Sequence, residues 1–324
     1  MHNERNRNKV GKIVMNILIL GAAGFIGTNL TLELSKSKDN KLTLVDRKKE
    51  WFRNIKEYNL SNIKIEESSL DIYMDFGILE GQDIIYHLVS TNVPTTSNKH
   101  ISLDIKANVL FSAYLFDACV KYGVKKVVFI SSGGTVYGKE VTCPISEDSP
   151  TNPITSYGLQ KLSIEKLLYL YNYMYRLDYR IIRLANPYGP YQRPNGVLGA
   201  VTTFTYKALK REKVVVYGDG SVIRDFIYID DAINAIIKIT NGNNNHHVFN
   251  IGCGYGTSIN KLLEIVEASL EIEMDIEYRE GRIVDVPMNY LDISRYERYY
   301  GALNPISLEE GIKRTAIFMK EELL

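Results

Sequence analysis

Cysteine is scarce. There are three in 324 residues (Cys119, Cys143 and Cys253), odd in number and widely spaced. They make neither a disulfide framework nor a CxxC zinc pattern, which fits a reducing, cytoplasmic setting. Long hydrophobic runs are missing as well. No stretch approaches the ~20 apolar residues that cross a bilayer, so a membrane span is not expected. Charge of one sign is also absent, because 39 Lys and Arg balance 38 Asp and Glu to a net +1. That gives no electrostatic reason to expect nucleic acid or a membrane surface as partner. Proline numbers only 9 beside 23 glycines, which excludes a collagen-like or low-complexity chain. The opening residues MHNERNRNKVGKIV lack the apolar core of a signal peptide. Residues 1–14 are therefore expected to form a disordered tail outside the fold. The chain as a whole is 45% hydrophobic and 24% charged, too apolar for a disordered chain and long enough for one large or two modest domains.

Short apolar runs alternate with longer amphipathic segments. Strand-type runs occur at 15–20, 41–46, 62–66, 83–87, 126–130 and 179–184. Helical spacing appears at 28–37, 101–122 and 157–173. Strands this apolar suit a sheet covered on both faces, and the alternation implies βαβ units. The fold class expected is α/β, a Rossmann-type doubly wound parallel sheet with a smaller C-terminal domain. The chain changes character after 185, where Gly and Pro cluster. A dinucleotide-binding domain is expected over 15–185 and a mainly substrate-binding domain over 186–324. Further strands are predicted at 213–217 and 247–251, with a helix over 230–239. Another helix, capped by Thr257 or Ser258, is predicted to run to Leu270.

Gly21-Ala22-Ala23-Gly24-Phe25-Ile26-Gly27 follows the first strand and opens a helix. Its glycines permit a tight turn and close backbone approach to a pyrophosphate, while the helix N-terminus offers N–H groups. Asp46 ends the second strand, where a carboxylate accepts hydrogen bonds from a ribose diol and repels the extra phosphate of NADP. Arg47, Lys48 and Lys49 are a basic turn that could attract that phosphate. The Asp46 position favours NAD.

Tyr157 and Lys161 form a YxxxK pair at a predicted helix start, one turn apart on a shared face. A phenol with pKa ~10 is a poor base at neutral pH. A nearby ammonium, with the positive nicotinamide of an oxidised cofactor, is expected to lower it. The tyrosinate could then take a proton from a sugar hydroxyl as hydride leaves the carbon. Ser131-Ser132-Gly133-Gly134-Thr135 follows the fifth strand at the carboxyl edge, where ligands bind in such sheets.

With these motifs the sequence resembles the extended short-chain dehydrogenases/reductases, the sugar-nucleotide epimerase and dehydratase group, over about residues 15–320. GAAGFIG at 21–27, Asp71-Ile72, His87, SSGGTVYG at 131–138, Tyr157 with Lys161, Asn186-Pro187 and Arg224-Asp225-Phe226 carry the likeness. The resemblance implies that the later chain returns to the sheet around 225–252. It implies NAD held by Gly21, Gly24, Phe25, Ile26, Gly27, Asp46 and Arg47. Asp71 and Ile72 would lie at the adenine, Lys161 at the nicotinamide ribose and Pro187 near the nicotinamide. Asn108 would brace the strand that carries the hydroxyls. Asn186, Tyr217, Arg224, Arg282 and Asp285 would contact a nucleotide-sugar substrate. A homodimer through the helices at 101–122 and 157–173 is implied too.

Three chemistries compete within that group. Elimination needs an Asp-Glu acid–base pair before Val-Tyr-Gly, and Gly134-Thr135 stand there, which disfavours a dehydratase. The pattern resembles the UDP-glucose 4-epimerases most. In those, a serine usually stands three residues before that valine, where this chain has Gly133, so Thr135 or Ser132 must supply the hydroxyl. The alternative is an NAD(P)H-dependent 4-keto reductase of a nucleotide-linked 4-keto-6-deoxyhexose, with which Gly133 is compatible. Asn289 follows the Asp-x-Pro segment and is smaller than the tyrosine of glucose-type epimerases, favouring an N-acetylhexosamine. A register shift of one residue would put Tyr290 there instead.

Overall fold

The computed structural model describes residues 14–58, 60–92, 98–194, 199–281 and 286–323. The tail expected over 1–14 lies outside them except for Val14. The strands, in chain order, are β1 (Met15–Leu20), β2 (Asn40–Asp46), β3 (Ile63–Glu67), β4 (Ile84–His87), β5 (Lys126–Ser132), β6 (Asp178–Leu184), β7 (Asn186–Tyr188), β8 (Val214–Tyr217), β9 (Ile223–Arg224), β10 (Phe226–Tyr228), β11 (Val248–Ile251), β12 (Thr257–Ser258), β13 (Ile276–Arg279) and β14 (Met288–Asn289). The helices are α1 (Phe25–Ser35), α2 (Arg53–Lys56), α3 (Ile101–Asp104), α4 (Phe111–Lys121), α5 (Ser156–Tyr175), α6 (Ala200–Lys210), α7 (Ile229–Asn241), α8 (Ile259–Leu270), α9 (Ser294–Tyr300) and α10 (Leu308–Glu322).

Seven strands pair in parallel in the order β11-β6-β5-β4-β1-β2-β3. Alternation along each strand feeds two cores. Ile17, Ile19, Tyr86, Val128 and Ile130 face one core with Leu30 of α1 and Ile236 of α7. Leu18, Leu20, Ile85, Val127 and Phe129 face the other with Phe111 and Leu115 of α4 and Ile164 of α5. The chain leaves β1 for β2 on one side and later enters β4 on the other. The crevice between β1 and β4 is thus the topological switch point, where ligands of such sheets bind. Strand β11 rejoins the sheet beside β6.

The smaller part is built from the pairs β8–β13 and β7–β10 and the sheet β12-β9-β14. Helices α6, α8 and α10 pack on one another beside these strands. The sequence pattern indicated α7, α8, β8 and β11 but not α6 or α10. The helix predicted over 101–122 is interrupted by a π-helical stretch, Ile105–Leu110, between α3 and α4. One extra residue per turn there pushes side chains out of α-helical register.

Candidate active site

The glycine loop takes its shape from two contacts. Gly21 has φ +80°, and a Cβ there would press on the Leu88 backbone at 3.3 Å. A Cβ on Gly27 would come within 2.6 Å of Ala22 Cα, so only glycine lets α1 sit on the loop. Asp46 fixes the loop from β2. Its Oδ2 accepts from Ala23 N at 3.0 Å, and its Oδ1 from Arg47 N at 2.8 Å.

A cavity of about 910 Å³ opens above the switch point. Its lining includes Gly21, Gly24, Phe25, Asp46, Arg47 and Asp71, as the sequence led us to expect. Asp71 Oδ1 is anchored by Ser69 Oγ and Tyr73 N, both at 2.8 Å. Ile26 does not line the cavity; it packs on the core. Ile72 and Gly27 are also outside the lining. Distant residues complete the walls. Leu88–Thr91 come from after β4, Tyr191–Arg193 from after β7, and Phe318 from α10. Tyr58 and Tyr191 join hydroxyls at 2.8 Å, and Tyr191 meets the Phe318 ring at 4.8 Å. A loop made for close backbone approach, a ribose-type carboxylate and a cleft of this volume fit a dinucleotide.

Tyr157 and Lys161 stand on the first two turns of α5, which Thr155 caps by accepting from Gly158 N at 3.1 Å. Lys161 is 6% exposed. Its ammonium donates to Ile130 O at 2.8 Å and lies 4.7 Å from the Phe129 ring centroid and 5.6 Å from that of Tyr157. Burial pulls Lys161 down to about 8, with the Glu165 carboxylate pulling the other way. Burial pushes the Tyr157 phenol up to about 12; the lowering expected from the sequence called on the positive nicotinamide as well as on Lys161. His87 is buried and held neutral, pushed down to about 3 by burial and then by the Lys161 charge.

Ser131 and Ser132 are the last residues of β5 rather than the loop after it. Ser131 Oγ is committed to Glu165 Oε1 at 2.5 Å. The Thr135 carbonyl lies against Gly158, where a methyl group would approach it to 2.6 Å. Thr135 Oγ1 is buried with no hydrogen-bond partner among the described residues. Gly133 is backed by Leu291, and its carbonyl accepts from Asn289 Nδ2 at 3.3 Å. Asn108 needs a correction. Its amide accepts from Thr91 N and donates to Thr91 Oγ1 and Gln160 Oε1, so it braces the segment after β4 and α5, not β5.

A second cavity, about 440 Å³, is lined by Asn186, Pro187, Tyr217 and Arg224. Pro187, expected near the nicotinamide, is part of this lining. Arg224 is aimed by the carbonyls of Ile223 and Val286, and Asn186 Nδ2 donates to Asp225 O at 2.9 Å. Lys207 and Phe204 of α6 also line it, without a motif to announce them. Arg282 and Asp285 lie outside the described residues. Among the described residues neither cavity lining includes Tyr157, Lys161, Ser132 or Thr135. These belong to the β5 edge and the start of α5, on the same carboxyl edge of the sheet as the glycine loop.

Comparison with known proteins agrees with this architecture. The NAD dependent epimerase/dehydratase family matches over residues 17–252, and the chain belongs to that family. The UDP-glucose 4-epimerase of Mycolicibacterium smegmatis is 32% identical over 312 residues, covering 95% of this chain and 99% of that protein. The dTDP-4-dehydro-6-deoxyglucose reductase of Escherichia coli is 31% identical over 302 residues, covering 92% and 95%. The crystal structure of UDP-glucose 4-epimerase from Thermotoga maritima with UDP-glucose superposes with a TM-score of 0.87 at 33% identity, covering 96% of this chain and all of that one. The cofactor is NAD, as the family's description states. No helix among the described residues is long and apolar enough to cross a membrane.

Proposed function

We propose that the protein epimerises a nucleotide-activated hexose at C4, interconverting UDP-glucose and UDP-galactose or their N-acetyl forms. The observation that carries this reading is the Tyr157–Lys161 pair at the carboxyl end of β5, its lysine buried and its tyrosine half-buried, with the unpartnered Thr135 hydroxyl beside its helix. Bound NAD supplies a hydride acceptor and donor. Tyr157 takes the proton of the C4 hydroxyl as the carbon is oxidised. The keto sugar then turns, and Tyr157 returns the proton after reduction from the other face. Lys161, still protonated at neutral pH, favours the charged form of Tyr157. Thr135, or Ser132, holds the reacting oxygen. Asn186, Tyr217 and Arg224, joined by Lys207, bind the nucleotide diphosphate in the second cavity. The division at 185, with 186–324 mainly substrate-binding, follows from the same reading. The active form is a homodimer joined through the helices over 101–121 and α5, whose exposed apolar residues include Leu103, Leu159, Leu170 and Tyr173.

The M. smegmatis and T. maritima relatives support the epimerase, while the E. coli relative and Gly133 favour a 4-keto reductase as the second reading. A turnover assay without added cofactor separates the two. Interconversion of UDP-hexoses, resolved by NMR, is the expected result. Reduction of a 4-keto-6-deoxy sugar nucleotide by added NADH or NADPH, with no interconversion, would establish the reductase instead.

A further inference from the structure

Gln160 stands between Tyr157 and Lys161 in the sequence, yet its side chain belongs to neither the apolar core nor the solvent. It is 2% exposed and hydrogen-bonded from both ends of its amide. Nε2 donates to Ser156 Oγ at 2.8 Å, within the first turn of α5. Oε1 accepts from Asn108 Nδ2 at 2.7 Å and faces Asn92 Nδ2 at 3.5 Å. Asn108 lies in the π-helical stretch and passes the contact on, since its Oδ1 accepts from Thr91 N at 3.0 Å and its Nδ2 donates to Thr91 Oγ1 at 2.9 Å. Thr91 ends the Leu88–Thr91 wall of the large cavity. One glutamine therefore ties the turn that carries Tyr157 to a wall of the cofactor cleft through a single intervening side chain. A buried amide with fixed partners holds one alignment, because sliding would leave its polar atoms unpaired.

We infer that Gln160 is a positioning residue that sets the register between the cofactor wall and the Tyr157–Lys161 turn. It acts through Asn108 and touches neither cofactor nor substrate. The cofactor half of this inference stands without the epimerase reading, and the catalytic half rests on it.

The test uses full-length Gln160→Met, close in length but unable to accept or donate, with Gln160→Glu as the conservative partner. NADH binding is followed by fluorescence with no sugar present, alongside thermal unfolding. Gln160→Met removes the tie between Asn108 and α5 and leaves Ser156 Oγ a donor short, while Asn108 Nδ2 keeps Thr91 Oγ1 and Asp104 O, and it is expected to weaken NADH binding about tenfold. Gln160→Glu keeps the acceptor for Asn108, and Ser156 Oγ–H can turn to donate to it, so it is expected to recover most of that loss. If turnover is found, kcat falls in Gln160→Met while KM for the sugar stays within about twofold, as for a group that acts only on alignment. Should Gln160→Met fail to fold, Gln160→Ser, too short to reach Asn108, is expected to show the same tenfold loss. A folded Met or Ser variant with wild-type NADH affinity would overturn the inference. So would a loss that Glu does not recover at all. Absence of any sugar turnover in the wild type would sink the epimerase reading and leave the NADH arm intact.

Discussion

The Gly133 position offers a sharp test of where the second catalytic hydroxyl lies. A Cβ built on Gly133 falls 2.5 Å from Leu291 Cδ1, 3.0 Å from Leu291 Cδ2 and 3.1 Å from Arg183 O. The carbonyl belongs to β6, which is paired on both sides by β11 and β5, and cannot retreat. Leu291 must therefore move by close to an ångström, yet it is fully buried against Val136, Tyr137 and Ile145, and its N–H donates to Asp225 Oδ2 at 3.2 Å. Overpacking of this kind costs about 1–3 kcal/mol, so Gly133→Ser is expected to lower stability by that amount. Leu291→Ala alone opens a cavity and costs about 2–5 kcal/mol. In the double variant the serine side chain enters the space the leucine leaves, so the two costs overlap by about 1 kcal/mol or more. Urea unfolding of the wild type, both single variants and the double variant measures this directly. A Gly133→Ser midpoint equal to that of the wild type would refute the reasoning, as would single costs that add within about 0.5 kcal/mol. Turnover by Gly133→Ser should not rise, because the hydroxyl arrives where Leu291 already sits.

Tyr157→Phe should keep bound NAD and lose about 10²–10⁴-fold in turnover, and a loss under tenfold would remove Tyr157 from the role of base. Thr135→Ala should cost more turnover than Ser132→Ala, because the Thr135 hydroxyl is the buried one without a partner; the reverse order reassigns the hydroxyl. Arg224→Ala should raise KM for the nucleotide sugar about tenfold or more with NADH affinity unchanged, and a rise confined to the NADH dissociation constant would move Arg224 to the cofactor site. Lys161 gives up its proton near pH 8, so turnover should fall as pH rises through that value, and a profile flat to pH 10 would contradict its role.

The central sheet was legible because most of its strands are apolar on both faces, and every run read as a strand in residues 15–184 pairs in it. The glycine loop and Asp46 were legible for a related reason. Strand, loop and helix there are contiguous, so local sequence states the geometry. What escaped is assembled across long separations. Tyr191 and Phe318 reach the cofactor cavity from loops and helices whose own patterns say only that they are amphipathic. Leu291 fills the space at Gly133 from 158 residues away, a fit no spacing encodes. Asn289 was read as a residue that makes room for an N-acetyl group. It is 1% exposed and holds the Gly133 carbonyl, outside the lining of the second cavity. Tyr157 shows the same limit in electrostatics. The YxxxK spacing states that a cation is near, but whether proximity outweighs desolvation depends on burial, and here burial prevails.

Lys161 shows how the role proposed for it works against stability. Holding its ammonium near 8 rather than 10.5 costs the folded state about 3 kcal/mol at neutral pH. The unfolded chain binds this proton more tightly than the folded one. The lysine's contribution to stability therefore improves as pH rises from about 8 to 10.5, over the interval in which the ammonium charge is lost. The charged state that the proposed mechanism calls on is thus the less stable one, and its surroundings offset only part of the cost. The Ile130 carbonyl, the Phe129 ring and the Glu165 carboxylate all favour the ammonium. Glu165 cannot be spent wholly on it, because Arg183 holds the same carboxylate at 2.7 Å and both ends of that pair are buried. Removing Glu165 would strand Arg183 as well as weaken Lys161, and breaking such a pair costs about 3–5 kcal/mol. The ion pair one turn beyond Lys161 therefore supports a lysine whose charged form the fold by itself disfavours.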